Sequence, residues 1–355
     1  MGFGKVLFGL GLSVFCAAGV RAEQPVAATL RFSPQGKFKI VQFADTLFND
    51  RDSEDNADNS EQAVIERANR KKEAILRDMA AILDSEKPNL VFFSGDNVLT
   101  PRDPAGMWRQ LVKPLNDRNI PWVAVMGNHD CECSLKPNRE TVAALEQLPG
   151  SLTACGPDEL GGGGNYVLTI KAATSDQPRF ALFCMDSGAY ADKRLSDGYA
   201  WFSPAAIAWF RQQAQALATG NGGKPLPALA FFHIPLPEYE AVQKAEKVIG
   251  AKSEDVCSPK INSGMFCAML ESRSILGCFV GHDHNNDYLF SFKGICLGYG
   301  RKTGEFCYHG LPSGARVIEL EENSRSFSTW IRTADLKQEC FARVPESFAK
   351  PTAEK

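Results

Sequence analysis

The stretch FVGHDHNNDY, residues 279–288, follows directly on the apolar run SILGCFV and sets His282, Asp283 and His284 together at its end. Short apolar runs without alternation are what strands buried on both faces look like, because no position along them has a solvent side. The same form, an apolar run closing on a polar cluster, recurs in FKIVQFAD, NLVFFSGD, PWVAVMGNHD, FALFCMDSG and ALAFFHIP. Between these runs, SEQAVIERANRKKEAILRDMAAILDSEKP has helical periodicity and is closed by Pro88. SPAAIAWFRQQAQALATGNGG has a Ser cap, Pro204 in its first turn and a Gly-rich stop. The alternation predicts an α/β fold. Past residue 288, YLFSFKGICLGYG, ARVIELE and FSTWIRT read as short strands with no helix between them. They predict a second, more antiparallel sheet packed against the first, giving two packed mixed β-sheets flanked by helices. Residues 23–340 read as one domain and 341–355 as a loose tail. NDRDSEDNADNS reads as an exposed loop, since its spacing matches no EF-hand.

With 355 residues, 44% apolar and 23% charged, the chain has an ordinary globular composition, and a net charge of −3 without basic runs argues against a nucleic-acid partner. Residues 1–22 carry one Lys, an apolar run and a small-residue exit, the layout of a secretory signal cleaved after Ala22. An exported protein with no stable membrane span is the expectation. Loss of Cys16 with the signal leaves ten of the eleven cysteines, and an oxidising destination predicts disulfides. The pairs nearest in sequence are Cys131 or Cys133 with Cys155, Cys257 with Cys267, and Cys278 with Cys296.

In open α/β sheets functional groups gather beyond the carboxyl ends of the strands. Those ends carry Asp45, Asp96 with Asn97, Asn128 with His129 and Asp130, His233, and the pair His282 and His284, so four of the five histidines sit there. Imidazole nitrogen, carboxylate oxygen and amide oxygen together suit Zn, Mn or Fe, with enough ligands for two ions. Two cations sharing a bridging carboxylate such as Asp96 suit in-line displacement at phosphorus.

In order along the chain, FAD at 43–45, SGDN at 94–97, GNHD at 127–130, FFHIPLPEY at 231–239 and GHDHNNDY at 281–288 resemble the motifs of the calcineurin-like metallophosphoesterases. The resemblance is strongest to the short purple-acid-phosphatase-like branch of plants and fungi. It extends to MDSGAY, CSPKINSGMF, GYGRKTG and ARVIEL, covering about residues 38–335. It implies the family's βαβαβ sandwich and hydrolysis of a small phosphoester, most simply a monoester, by a metal-bound hydroxide. It implies two metal ions: Asp45 and His284 on the first, Asp96 bridging, and Asn128, His233 and His282 on the second. His129 takes the place of the histidine that stabilises the phosphoryl oxygens and protonates the leaving alcohol. Asp130 is a candidate to orient it or to cap its loop, His309 is a candidate pocket residue, and Asp283 reads as a turn group. A phosphodiesterase and a non-catalytic metal- or phosphate-binding relative are the competing readings.

Two departures stand out against that pattern. The position of the usual first-motif histidine is Leu47, and that of the purple acid phosphatase tyrosinate is Leu99. A labile first site and a colourless protein are expected, with water, Thr46 or Asn49 as candidates to complete the shell.

Overall fold

The expected apolar runs form strands β1 (Lys37–Phe43), β2 (Leu90–Ser94), β3 (Trp122–Val125), β5 (Pro178–Cys184), β6 (Ala228–Phe231) and β7 (Ile275–Val280). This computed structural model describes residues 29–52, 58–100, 103–132, 138–308 and 310–349. The leader expected over residues 1–22, Cys133, the Cys131 side chain and His309 lie outside the described residues. The remaining strands are β4 (Tyr166–Lys171), β8 (Leu289–Phe292), β9 (Ile295–Tyr299), β10 (Gly314–Glu321), β11 (Phe327–Thr333) and β12 (Gln338–Val344). They build two six-stranded sheets, in the orders β12-β11-β10-β1-β2-β3 and β4-β5-β6-β7-β9-β8.

Strands β1, β2 and β3 run parallel, as do β5, β6, β7 and β9. The connection from β1 to β2 is α1 (Glu61–Glu86). Ser60 caps it by accepting from the Ala63 NH, and it ends where Lys87 turns left-handed before Pro88. Its buried positions Val64, Ala68, Ile75, Met79 and Ile82 fall on one face, which packs on the β1/β2/β3 side of the first sheet with Phe43, Phe93 and Trp122. Helix Pro204–Gly220 does the same for the second sheet, placing Trp209 and Phe210 against Phe183. Between the sheets lies a third core, where Phe92 of β2 stacks on Phe231 of β6 with ring centroids 4.0 Å apart. The layers therefore run helix, sheet, sheet, helix. Each fully buried aromatic stabilises this sandwich by roughly 1.5–3 kcal/mol.

The C-terminal strands correct the expected layout. They do not make a sheet of their own: β9 adds in parallel to β7 with β8 beyond it, while β10 pairs antiparallel along β1 and brings β11 with it. The parallel unit leaves one edge of β1 open, and β10 satisfies its backbone groups. Residues 341–344, expected in a loose tail, belong to β12, which pairs with β11 before a 3-10 turn at Glu346–Phe348.

The expected disulfides are also corrected, since Cys155, Cys257, Cys267, Cys278 and Cys296 all carry free thiols. In the β7/β9 ladder Cys278 stands opposite Leu297 and Cys296 opposite Gly277. A one-residue offset puts side chains on opposite faces of a sheet. Cys278 accordingly packs on Met269 on the helix side, whereas Cys296 lies in the core between the sheets. The Cys155 thiol donates to the Arg139 carbonyl. No helix among the described residues is long and apolar enough to cross a membrane.

Candidate metal centre

The parallel strands β1, β2, β3, β6 and β7 end at one edge of the sandwich, and the residue following each run turns inward. Asp45 (φ 52°), Asp96 (φ 51°) and His282 (φ 81°) all adopt left-handed backbone conformations, which non-glycine residues seldom do outside sites where the surroundings impose them. The glycines before Asp96, Asn128 and His282 allow close approach. A Cβ on Gly95 would sit 2.3 Å from Nδ1 of His233, and one on Gly127 would sit 2.1 Å from Oδ1 of Asp96. Beneath the site, buried Gln42 donates to Ser94 Oγ (2.9 Å) and to the Val280 carbonyl (3.1 Å), tying β1, β2 and β7 together.

Two buried triplets result, Asp45 with Asp96 and His284, and Asp96 with His233 and His282; in each, one donor atom per residue lies within 4.8 Å of the others. Asp96 belongs to both. The His233 ring places Nδ1 3.0 Å from the Ser94 carbonyl, to which it donates, so Nε2 is the nitrogen that points inward. That nitrogen faces Oδ2 of Asp96 at 3.1 Å and Nδ1 of His282 at 3.3 Å. Asn128 Oδ1, Asp96 Oδ2, His282 Nε2 and His284 Nδ1 are buried without a hydrogen-bond partner. Acceptors turned on one another in a buried space are stabilised by a cation or by protonation. The donor set therefore fits metal ions.

The charges of the metal-free site follow the same logic. Burial would raise the Asp96 carboxyl, but the neighbouring imidazoles, His233 foremost, hold it well below the usual range. Burial opposes a charged His233, yet Asp96 lifts it to about 9. Burial and the adjacent His233 push His282 down to about 3. For His284, burial is outweighed by Asp45 and the Cys307 thiol, and the ring rises to about 11.

Among the neighbouring residues the structure chooses between the roles that the sequence left open. Asp130 accepts from the NH groups of Gly127 (2.8 Å), Asn97 (2.9 Å) and Val98 (3.0 Å), so it caps the loops after β2 and β3. His129 is instead met by Glu132, whose Oε2 lies 2.6 Å from Nδ1, while the His129 NH donates to Asp96 Oδ1 (2.8 Å). Asp283 serves the turn, accepting from Tyr299 OH (2.6 Å) and the Cys257 NH (3.2 Å). The Thr46 hydroxyl donates to the Asn97 carbonyl (2.6 Å) and Asn49 Oδ1 accepts from the Arg51 NH (3.2 Å), so both are engaged elsewhere. Leu47 is buried and Leu99 half-buried. Sequence reasoning also missed the aromatic rim. Tyr308 stacks on His284 with centroids 4.3 Å apart, and Tyr199 meets His282 edge-on at 4.4 Å.

A sequence profile described as calcineurin-like phosphoesterase matches residues 38–286, a span that contains every residue of both triplets. The chain belongs to the calcineurin-like phosphoesterase family. It is 31% identical over 353 residues to the protein named "Probable inactive purple acid phosphatase 29" of Arabidopsis thaliana, covering 92% of this chain and 88% of that one. It is 32% identical over 347 residues to phosphatase DCR2 of Saccharomyces cerevisiae, covering 91% of this chain and 58% of that one. Among solved structures, a dimetal phosphatase from Danio rerio superposes with a TM-score of 0.57 at 12% identity, covering 86% of this chain and 98% of that one. The purple acid phosphatase PPD1 of yellow lupin superposes at 0.51 and 12% identity, covering 90% and 57%. These likenesses establish the two-sheet metallophosphoesterase fold.

Proposed function

We propose that this calcineurin-like phosphoesterase is an exported phosphomonoesterase with two metal ions at the paired triplets. The sharing of Asp96 between the triplets, beside His129, carries the reading. Asp45 and His284 would hold the first ion, Asp96 would bridge, and Asn128, His233 and His282 would hold the second. The ions, when bound, neutralise phosphoryl oxygens and activate water as the nucleophile. Asp96 also accepts from the backbone NH of His129, which ties the main chain carrying the proposed general acid to the bridging position. The His129 side chain is 38% exposed, so it can reach a substrate entering from solvent. Nε2 of His129 would then give its proton to the departing alcohol oxygen. The secretory layout of residues 1–22 supports export.

His129→Ala is expected to lower kcat toward monoesters by about 100-fold or more while leaving metal content unchanged. A panel of alkyl and aryl monoesters and diesters tests the class, with dominant turnover of diesters assigning a phosphodiesterase instead. A second reading, a metal-binding relative without turnover, is favoured by Leu47 and by the word "inactive" in the name of the Arabidopsis relative. Full two-metal occupancy without hydrolysis of any ester would establish that reading and exclude the first.

A further inference from the structure

We propose that Glu132 and Tyr190 form a two-armed positioning brace, one arm setting the ring of His129 and the other the amide of Asn128. In its role for catalysis this rests on the function proposed above; in its geometry it does not. Glu132 lies three residues after His129 on the short helix Asn128–Glu132, which puts both on one face. Its Oε2 takes the Nδ1 proton of His129 as a hydrogen-bond acceptor at 2.6 Å. That leaves Nε2 as the ring nitrogen free to exchange a proton with a bound ester. The residue is thereby held twice, its backbone NH donating to Asp96 Oδ1 (2.8 Å) and its ring bonded to Glu132.

The second arm starts from the other carboxylate oxygen. Tyr190 OH donates to Glu132 Oε1 and accepts from Asn128 Nδ2 at 3.3 Å. An amide whose nitrogen is committed outward must turn its oxygen inward. Asn128 Oδ1 is indeed the buried atom without a partner, so Tyr190 selects the orientation that offers an oxygen rather than an NH2 to a cation. Tyr190 is itself seated by stacking on Tyr199, 5.7 Å between centroids, whose edge contact reaches His282. Glu132 thus links the proposed general acid to the second metal's ligands. A plain surface pair is the competing account. His129 and Glu132 are each 38% exposed, and pairs that exposed contribute little to stability, so their variants should fold and the two accounts can be separated.

The test uses the full zinc-loaded chain and the variants Glu132→Ala, Glu132→Gln and Tyr190→Phe. Imidazole 15N shifts, with the His129 signals assigned through His129→Asn, report which ring nitrogen carries the proton in the neutral form. The brace predicts the Nδ1–H tautomer in the wild type and in Glu132→Gln, whose amide oxygen still accepts, and a shift to Nε2–H in Glu132→Ala. It predicts that Glu132→Ala lowers kcat about 10- to 100-fold for alkyl phosphates, which need leaving-group protonation, but about threefold or less for p-nitrophenyl phosphate. Tyr190→Phe should weaken one of two zinc sites about 10-fold or more while sparing the other. An unchanged tautomer in Glu132→Ala, or unchanged zinc affinity in Tyr190→Phe, overturns the corresponding arm; equal losses across leaving groups overturn the catalytic role. Wild-type protein that turns over no ester refutes the proposed function instead, and the tautomer and zinc measurements still judge the brace.

Discussion

Gly127→Ala probes how the site is assembled, because it adds one carbon where β3 hands over to the metal centre. The new Cβ would lie 2.1 Å from Asp96 Oδ1 and 2.5 Å from the Asp96 backbone nitrogen. An ordinary contact starts near 3.4 Å, so the carboxylate oxygen must retreat by about 1.3 Å, the difference between those two distances. A side-chain rotation cannot answer a backbone clash, so the loop after β2 has to move with it. Metal–ligand distances tolerate about ±0.2 Å, and Asp96 serves both triplets. Affinity for both ions should therefore fall at least 10- to 100-fold, with overpacking costing about 1–3 kcal/mol of stability. Calorimetric titration of the apo-protein with Zn2+ or Mn2+, alongside thermal unfolding, reads both quantities. Gly220→Ala is the control, since a Cβ there meets nothing within 4 Å. Two-site binding within about threefold of wild type in folded Gly127→Ala would refute the close-approach argument.

Further consequences can be measured. Buried Asp287 Oδ2 accepts from Arg301 Nε at 2.8 Å, so Asp287→Ala should cost about 3 kcal/mol in urea unfolding by leaving buried Arg301 only the part-exposed Glu339 as a counter-charge. Saturating metal should stabilise the protein by about 2.7 kcal/mol at 100 times Kd, and chelator should reverse the shift in Tm. Glu321 bonds Arg343 and Lys37 across β12, β10 and β1, which hold its carboxyl down to about 2. Its folded pKa lies below the unfolded value of about 4.3, so its contribution is present above pH ~4.3 and is lost as pH falls toward 2. The group is partly exposed, which limits the effect to about 1 kcal/mol or less. Glu321→Gln should flatten that part of the acid-unfolding profile, and an unchanged profile would count against the tie.

Much of the fold was legible because its signals are local. Apolar runs such as NLVFFSGD specify strands buried on both faces, and Ser60 with Pro88, or Ser203 with Pro204, mark helix boundaries through hydrogen bonds made within a turn or two. Strand β4 was not anticipated: its burial is mixed along YVLTIK, so it shows neither a clean apolar run nor a clean alternation. The proposed ligands were legible because each lies within four residues of the end of its strand, and the end of a parallel strand is where a site forms. Glu132 had a readable cue in its spacing from His129, but Asp130 competed for the role, and only its three backbone donors removed it from contention. Tyr190 ends the MDSGAY stretch that the resemblance covers, but neither it nor Tyr308 had a cue to its partner, being 62 and 24 residues from the groups they bond.

By itself, then, the sequence determined the alternation of buried strands and helices, their boundaries, and the polar residues delivered at each strand end, since these follow from periodicity and capping along the chain. Tertiary structure decided that β10 closes the open edge of β1 and that Cys278 and Cys296 face opposite cores. It also decided that Asp96 stands between two histidine-bearing strand ends while Glu132, not Asp130, meets His129. Those outcomes depend on register and on packing between sheets, where a shift of one residue reverses a side chain and an ångström separates a ligand from a neighbour.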